Sequence, residues 1–289
     1  MSDAEIRDGY LARLGLEPAS PSVDALRALH RAHVEAVSWE TLWIQSGERW
    51  GIDPAASAAR IAATGRGGYC FHLNGAFSWL LAGLGYDVTR HLGGVHGPDG
   101  PTAEALGNHL VLTVRGLPDD PDAVWYVDVG LGDAILEPLP LVAGEHRSGP
   151  FTFALDRSPA AVADWHLAHH PRGAFVGMAW TDAPATMADF VAEHRRLSSD
   201  EDSQFVRWLV MSHRDAGGGD LLTGLYYRRV GADGTSATAG SERELFDLIG
   251  DVFGTDVAAI PPETRRAVWA RAEAAHRAAE AARATTDGA

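Results

Sequence analysis

Apolar positions in the first third of the chain recur every three or four residues. In "SVDALRALHRAHVEAVSWETL", Leu26, Leu29, Val34 and Val37 fall near one helical face, and Ser22 stands where an N-cap belongs. "DPAASAARIAAT" predicts a second helix, with Asp53 as N-cap and Pro54 in the first turn. "CFHLNGAFSWLLAGLGY" predicts a third. Its Phe71, Asn74, Phe77, Trp79 and Leu81 cover a broad part of the circumference, and "GLGY" ends it.

The period then changes. "DVTRHLGGV", "NHLVLTVRG", "VWYVDVGLG", "PFTFALD" and "WHLAHH" are short, often alternating, and bounded by Gly, Pro and Asp. They predict strands of a barrel or a curled sheet. "MADFVAEHRRLS" returns to helix. "FVRWLVMSHR" and "LLTGLYYRRV" predict two strands paired across "DAGGGD". "SERELFDLIGDVFG" predicts a helix with a capping box of Ser241 and Glu244, and "PETRRAVWARAEAAHRAAEAARA" a final alanine-rich helix. Helices, then strands, then a mixed tail make an α+β protein. The expected lobes are a helical domain over 1–88, a β domain over 89–186 and an α/β domain over 187–289.

Composition narrows the function. The chain has 289 residues, 46% of them apolar, and a formal net charge of -15. A surface of that sign repels nucleic acid and anionic membrane, so neither is an expected partner. No run of 18 apolar residues occurs, and "MSDAEIRDGYL" has no basic stretch followed by an apolar one, so neither a membrane span nor a signal peptide is expected. The single cysteine, Cys70, cannot form an internal disulfide. A free thiol in a reducing cytoplasm is expected.

That cysteine stands in "GRGGYCFHLNGAF". An isolated cysteine is most often a small buried hydrophobe. Here Gly67 and Gly68 permit a tight turn, and the thiol falls on the first turn of a predicted helix. Unpaired N–H groups and the positive end of the dipole favour a thiolate there. A thiol nucleophile also needs a base and a group that orients the base. His109 opens "HLVLTV", 39 residues after Cys70, and Asp128 lies in "YVDVG", 19 further on. If those strands are neighbours, both side chains can reach the start of the Cys70 helix. Singly, His109 reads as a strand histidine and Asp128 as a turn residue. Together, in this order, they read as a nucleophile, a base and an orienting acid.

At these residues the chain resembles the arylamine N-acetyltransferases. "RGGYCFHLN" is similar to that family's cysteine motif, "NHLVLTV" to its histidine strand and "YVDVGLGD" to its aspartate strand and glycine loop. The likeness runs from "YLARLGL" to "ELFDLIGDVFG", nearly the whole chain. It implies an N-terminal helical bundle, a central β-barrel and a C-terminal α/β lid, with a cysteine-peptidase-like Cys-His-Asp site. It also implies Cys70 as the acylated nucleophile, His109 as base and acid, and Asp128 as orienter. The activity expected is transfer of an acyl group from acetyl-CoA, a co-substrate and not a bound cofactor, to an aromatic amine or hydrazine. The same resemblance permits a second activity, amide (macrolactam) synthesis from a polyketide thioester on a carrier protein. Hydrolysis in the manner of a peptidase or transglutaminase relative, and a non-catalytic binding role, are the readings from other classes.

Three places depart from the family pattern. His72 stands where an acid is usual, Leu131 replaces an aromatic residue, and in "SWET", at the family's Pro-Phe-Glu-Asn, Trp39 and Glu40 keep the aromatic and the acid while Thr41 replaces Asn. The expectations are that Arg66 pairs with Glu40 to hold the turn before Cys70, and that His72 braces the helix start from behind. Trp39 and Leu131 are candidates for the pocket wall. Gly130 and Gly132 in "VGLGD" read first as a strand-ending turn, and second as backbone N–H donors to a co-substrate phosphate. His166, His169 and His170 in "WHLAHH" have no carboxylate or cysteine beside them, so no metal is expected there.

Overall fold

The protein was described from a computed structural model covering residues 1–231 and 234–287. Helix α1 (Asp3–Leu14) starts with Ser2 and Glu5 in a reciprocal capping box and ends at Gly15 in the left-handed region. Helix α2 (Val23–Ala36) starts at Ser22 as its cap predicts. It stops earlier than the apolar pattern suggested. Val37 is already extended, and Trp39–Glu40 form strand β1. A single turn, α3 (Leu42–Gln45), leads to α4 (Pro54–Thr64), capped by Asp53, and to α5 (Cys70–Gly83).

Eight antiparallel strands follow: β2 (Asp87–His96), β3 (His109–Leu117), β4 (Asp120–Val127), β5 (Leu139–Pro140), β6 (Gly144–Ser148), β7 (Phe151–Arg157), β8 (Trp165–Ala168) and β9 (Gly177–Pro184). Their order is β5-β4-β3-β2-β9-β8-β7-β6. The two edge strands, β5 and β6, are joined by residues 141–143 alone, so the edges meet at one short loop and the sheet is a nearly closed barrel. Val111, Tyr126, Phe151, Phe153, Leu167, Met178 and Trp180 fill its interior. Leu110, Leu112 and Val114, on the other face of β3, pack with the helices. Both faces of β3 are therefore buried, which is why "HLVLTV" reads as an almost unbroken apolar run.

The C-terminal part holds α6 (Val191–Ser199), α7 (Gln204–Arg207), β10 (Val210–Asp215), β11 (Gly218–Thr223), β12 (Tyr226–Gly231), β13 (Ser236–Thr238), α8 (Glu242–Asp251) and α9 (Pro262–Asp287). Three expectations change here. "FVRWLVMSHR" is a helical turn followed by a strand. "LLTGLYYRRV" is two strands, folded back on each other at Gly224, which has a φ of 60°. At α8, Glu244 N–H donates to Ser241 Oγ, but the Glu244 carboxylate takes the Gly240 N–H and not that of Ser241, so the box is half formed.

Two features tie this part to the rest. β1 pairs with β10, Trp39 opposite Ser212 and Glu40 opposite Met211. Buried Arg214 donates to the carbonyls of Ala134 (2.9 Å), Ser148 (2.7 Å) and Gly218 (3.0 Å), and its guanidinium lies over the Phe151 ring. Burial lowers this guanidinium to about 10, and carbonyl dipoles replace the water it has lost.

Candidate active site

The sequence before α5 aims the thiol. Gly68 has a φ of 76°, and a Cβ there would stand 2.6 Å from His72 Nδ1, so glycine meets both a conformational and a steric demand. Tyr69 is the extended N-cap residue of α5, and its N–H donates to His72 Nδ1 at 3.3 Å. His72 thus fills from N3 the acceptor role that a Glu has in a capping box. Burial, then the nearby charge of Arg60, holds this imidazole well below its usual range, so it remains a neutral acceptor. Behind the helix start the Tyr69, Trp43 and Trp50 rings stack in series, and His72 meets each edge-on. Tyr69 Oη donates to His194 Nδ1 at 2.6 Å, which ties α6 to this cluster.

The turn is held from below by Arg66. Its Nε lies 3.0 Å from Glu40 Oε1, and Glu40 is 1% exposed. Glu40 N–H donates to Gly68 O, so one residue anchors both the guanidinium and the backbone of the turn. The expected Arg66–Glu40 pair is therefore present.

Cys70 sits on the first turn of α5, 5% exposed, with Sγ 3.7 Å from the Asn108 carbonyl. β3 and β4 bring the other two residues to it. His109, at the start of β3, donates from Nε2 to Asp128 Oδ2 at 2.7 Å, and its imidazole also interacts with the Cys70 thiol. With Nε2 engaged, Nδ1 is the nitrogen left for sulfur. Burial alone would lower His109. The charge and hydrogen bond of Asp128, helped by the thiol, outweigh it and raise the imidazole to about 10.

Asp128 is 1% exposed and fully hydrogen-bonded. Oδ1 accepts from Asn74 Nδ2 (2.7 Å) and Gly130 N–H (3.1 Å), and Oδ2 from His109 Nε2 and Tyr126 Oη (2.9 Å). Four donors make a buried carboxylate tenable. Its own N–H donates to His30 Nε2 at 3.2 Å, while His30 Nδ1 donates to Leu136 O at 3.0 Å. That pattern requires neutral His30, and burial accordingly lowers it to about 4.

Sequence reasoning had not assigned these supports, although two left a signal. Asn74 is four residues after Cys70 and so on the same helical face. Tyr126 is two before Asp128, which directly follows β4, so the two side chains leave the chain on the same side. His30 left none, because only folding brings α2 to residue 128.

The remaining candidates separate. Gly130 packs on Cys70, and its N–H is used by Asp128, so it is not a free donor for a phosphate. Gly132 has a φ of 63° and faces Ser212. Leu131 lies in the barrel core, and Trp39 meets the Phe205 ring edge-on at 5.2 Å. The three histidines of "WHLAHH" do not converge. His166 pairs with His96, His169 lies 3.3 Å from Asp133, and His170 packs on Phe151. His213, Asp215 and Asp220 do cluster, but Arg229 bridges both carboxylates at 2.6–2.9 Å.

Known proteins are similar to this chain in sequence and fold. The family model described as N-acetyltransferase matches residues 22–260. The Salmonella typhimurium arylamine N-acetyltransferase / N-hydroxyarylamine O-acetyltransferase is 37% identical over 131 residues, 44% of each chain. The Mycolicibacterium smegmatis arylamine N-acetyltransferase is 28% identical over 263 residues, 86% of this chain and 91% of that one. Among solved structures, the Mycobacterium marinum arylamine N-acetyltransferase in complex with CoA superposes with a TM-score of 0.81 at 27% identity, over 92% of this chain and 97% of its own. A helical entry, a nearly closed barrel and a match across most of the length lead to one assignment: the chain belongs to the arylamine N-acetyltransferase family of acyltransferases.

Proposed function

We propose that this protein transfers an acetyl group from acetyl-CoA to an arylamine or hydrazine in two half-reactions through an acyl-Cys70 intermediate. The observation that carries the reading is the buried row Cys70–His109–Asp128, with His109 Nε2 held by Asp128, which leaves Nδ1 for sulfur. The relatives' names support the acceptor class, and the CoA complex of one of them supports the donor.

In the first half-reaction His109 Nδ1 takes the thiol proton and the thiolate attacks the thioester carbonyl. The backbone N–H of Cys70, at the positive end of α5, faces the oxyanion that forms. The C–S bond to CoA then breaks, and His109 returns its proton to the leaving thiolate. In the second, the amine attacks the acyl-cysteine and His109 takes the amine proton. Amide forms, the Cys70 C–S bond breaks, and the thiol is restored. Asp128 stabilises the imidazolium and keeps the ring in one tautomer.

Intact mass spectrometry after brief exposure to acetyl-CoA, without acceptor, tests this. One acetyl should be added, on Cys70, and an arylamine should discharge it. Cys70→Ala should gain none. Turnover surviving in Cys70→Ala would overturn the mechanism.

A further inference from the structure

We propose that His96 and His166 form a chelating site for copper(II) or nickel(II) on the outer wall of the barrel, apart from Cys70. His96 ends β2 and His166 lies on β8, and β9 runs between them. Met178 and Trp180 of β9 point into the barrel core, so Gly177 and Ala179 face the other way. Over Gly177 the two imidazoles meet, with Nε2 to Nε2 at 3.0 Å. A Cβ on residue 177 would lie 2.7 Å from His166 Nε2 and 2.9 Å from His96 Nε2. Both nitrogens therefore converge on one small space that exists because residue 177 has no side chain.

The chemistry of the pair suits a metal. His96 Nδ1 donates to Gly97 O at 2.9 Å, so Nε2 carries the lone pair, the backbone-anchored arrangement that ligating histidines use. His166 Nε2 donates its proton to that lone pair in the free protein. Ligation needs only a shift of this proton to His166 Nδ1, so neutral rings bind a metal without net proton release. Asp156 is paired with His166 in the β7–β8 register, on the same face of the sheet.

The spacing selects the metal. Two nitrogens 3.0 Å apart, each about 2.0–2.1 Å from a common ion, subtend roughly 95°. That is the cis angle of a tetragonal site, whereas a tetrahedral zinc site would need about 3.3 Å between them. Copper(II) and nickel(II) are tetragonal ions, and the general affinity order also places copper first.

The test is a titration of the tag-free chain carrying Cys70→Ala, which keeps the thiol from reducing or binding the ion. Copper(II) binding is followed by calorimetry and electron paramagnetic resonance. One copper per chain with a two-nitrogen signature is expected, with nickel weaker and zinc weakest. His166→Gln keeps size and a donor to His96 and should weaken copper binding at least about tenfold, with the melting temperature unchanged. His96→Gln should do the same. Copper affinity within twofold of the parent in either variant would overturn the site. Zinc binding as tight as nickel would overturn the cis geometry.

Discussion

Gly130 is packed against Cys70 so closely that a Cβ on residue 130 would stand 2.8 Å from the Cys70 Cα and 3.0 Å from Asn74 Nδ2. The Asp128 loop and the nucleophile helix are in backbone contact, and no flexible group lies between them to yield. Gly130→Ala should therefore separate thiol from imidazole and slow acylation by two orders of magnitude or more, on the order of what a misplacement of about 1 Å costs. The burst from p-nitrophenyl acetate reads this directly. Gly83→Ala, on the exposed end of the same helix with nothing within 4 Å, is the control and should be neutral or stabilising by up to about 1 kcal/mol. A normal burst in Gly130→Ala would show that the loop can retreat at no cost to the site.

Tyr126 and His109 share one oxygen of Asp128. The Tyr126 ring is fully buried and stacked on Trp180 at 5.0 Å, and burial followed by the charge of Asp128 keeps its hydroxyl protonated. Tyr126→Phe removes one donor and leaves more of the carboxylate's charge for the imidazolium. The acid limb of Cys70 alkylation by iodoacetamide should move to lower pH, while the melting temperature falls by an amount equivalent to about 1–3 kcal/mol. A profile that does not move would make Tyr126 a packing residue only.

Residue 72 tests how a histidine replaces an acid. His72→Glu should keep the fold and the acyl-enzyme burst, because Glu can accept the Tyr69 N–H and Arg60 is close enough to act on the present imidazole. Glu40→Gln strands Arg66, whose side chain is 15% exposed, and should cost roughly 3 kcal/mol, at the low end for a broken buried pair because Glu48 stands 3.5 Å away. Thermal melts of the two variants give the ranking. A larger loss for His72→Glu would mean the aromatic cluster around residue 72 rejects a charge.

Acid should unfold the helical part through two buried histidines. Burial lowers His30 to about 4 and His33 to about 3, against about 6.5 in the unfolded chain. Below about 6.5 the unfolded state binds protons that the folded state does not, so stability is full above that value and is lost as pH falls toward 4. His30 and His33 together should contribute close to two protons to the slope of unfolding free energy with pH near pH 5, and buried His72 adds to it in the same direction. His33→Leu should reduce it by close to one. An unchanged slope would mean that His33 protonates in the folded protein.

Much was legible in the sequence because it depends on neighbours along the chain. Caps at Ser22 and Asp53, the glycines before Cys70 and the change of period at residue 87 are local signals, and the structure places helices and strands where they predict. The Cys70, His109 and Asp128 motifs, and the pairing of Arg66 with Glu40, were also readable, each carried by a short stretch of residues. Where two local readings competed, the tertiary structure decided. The helical pattern through Val37 yields to a strand because Trp39 and Glu40 find β10, far along the chain. Gly224 turns what reads as one strand into two.

The site's interior was decided only by folding. Which nitrogen of His109 faces sulfur follows from Asp128 taking the other, and the burial of Asp128 is possible because donors arrive from α5, β3, β4 and the loop at Gly130. The neutrality of His30 follows from α2 lying against that same loop. The convergence of His96 and His166 follows from two strands separated by a third. Protonation, tautomer and ligand geometry depend on what surrounds a group in space, and a linear sequence states those surroundings only where they are also neighbours in the chain.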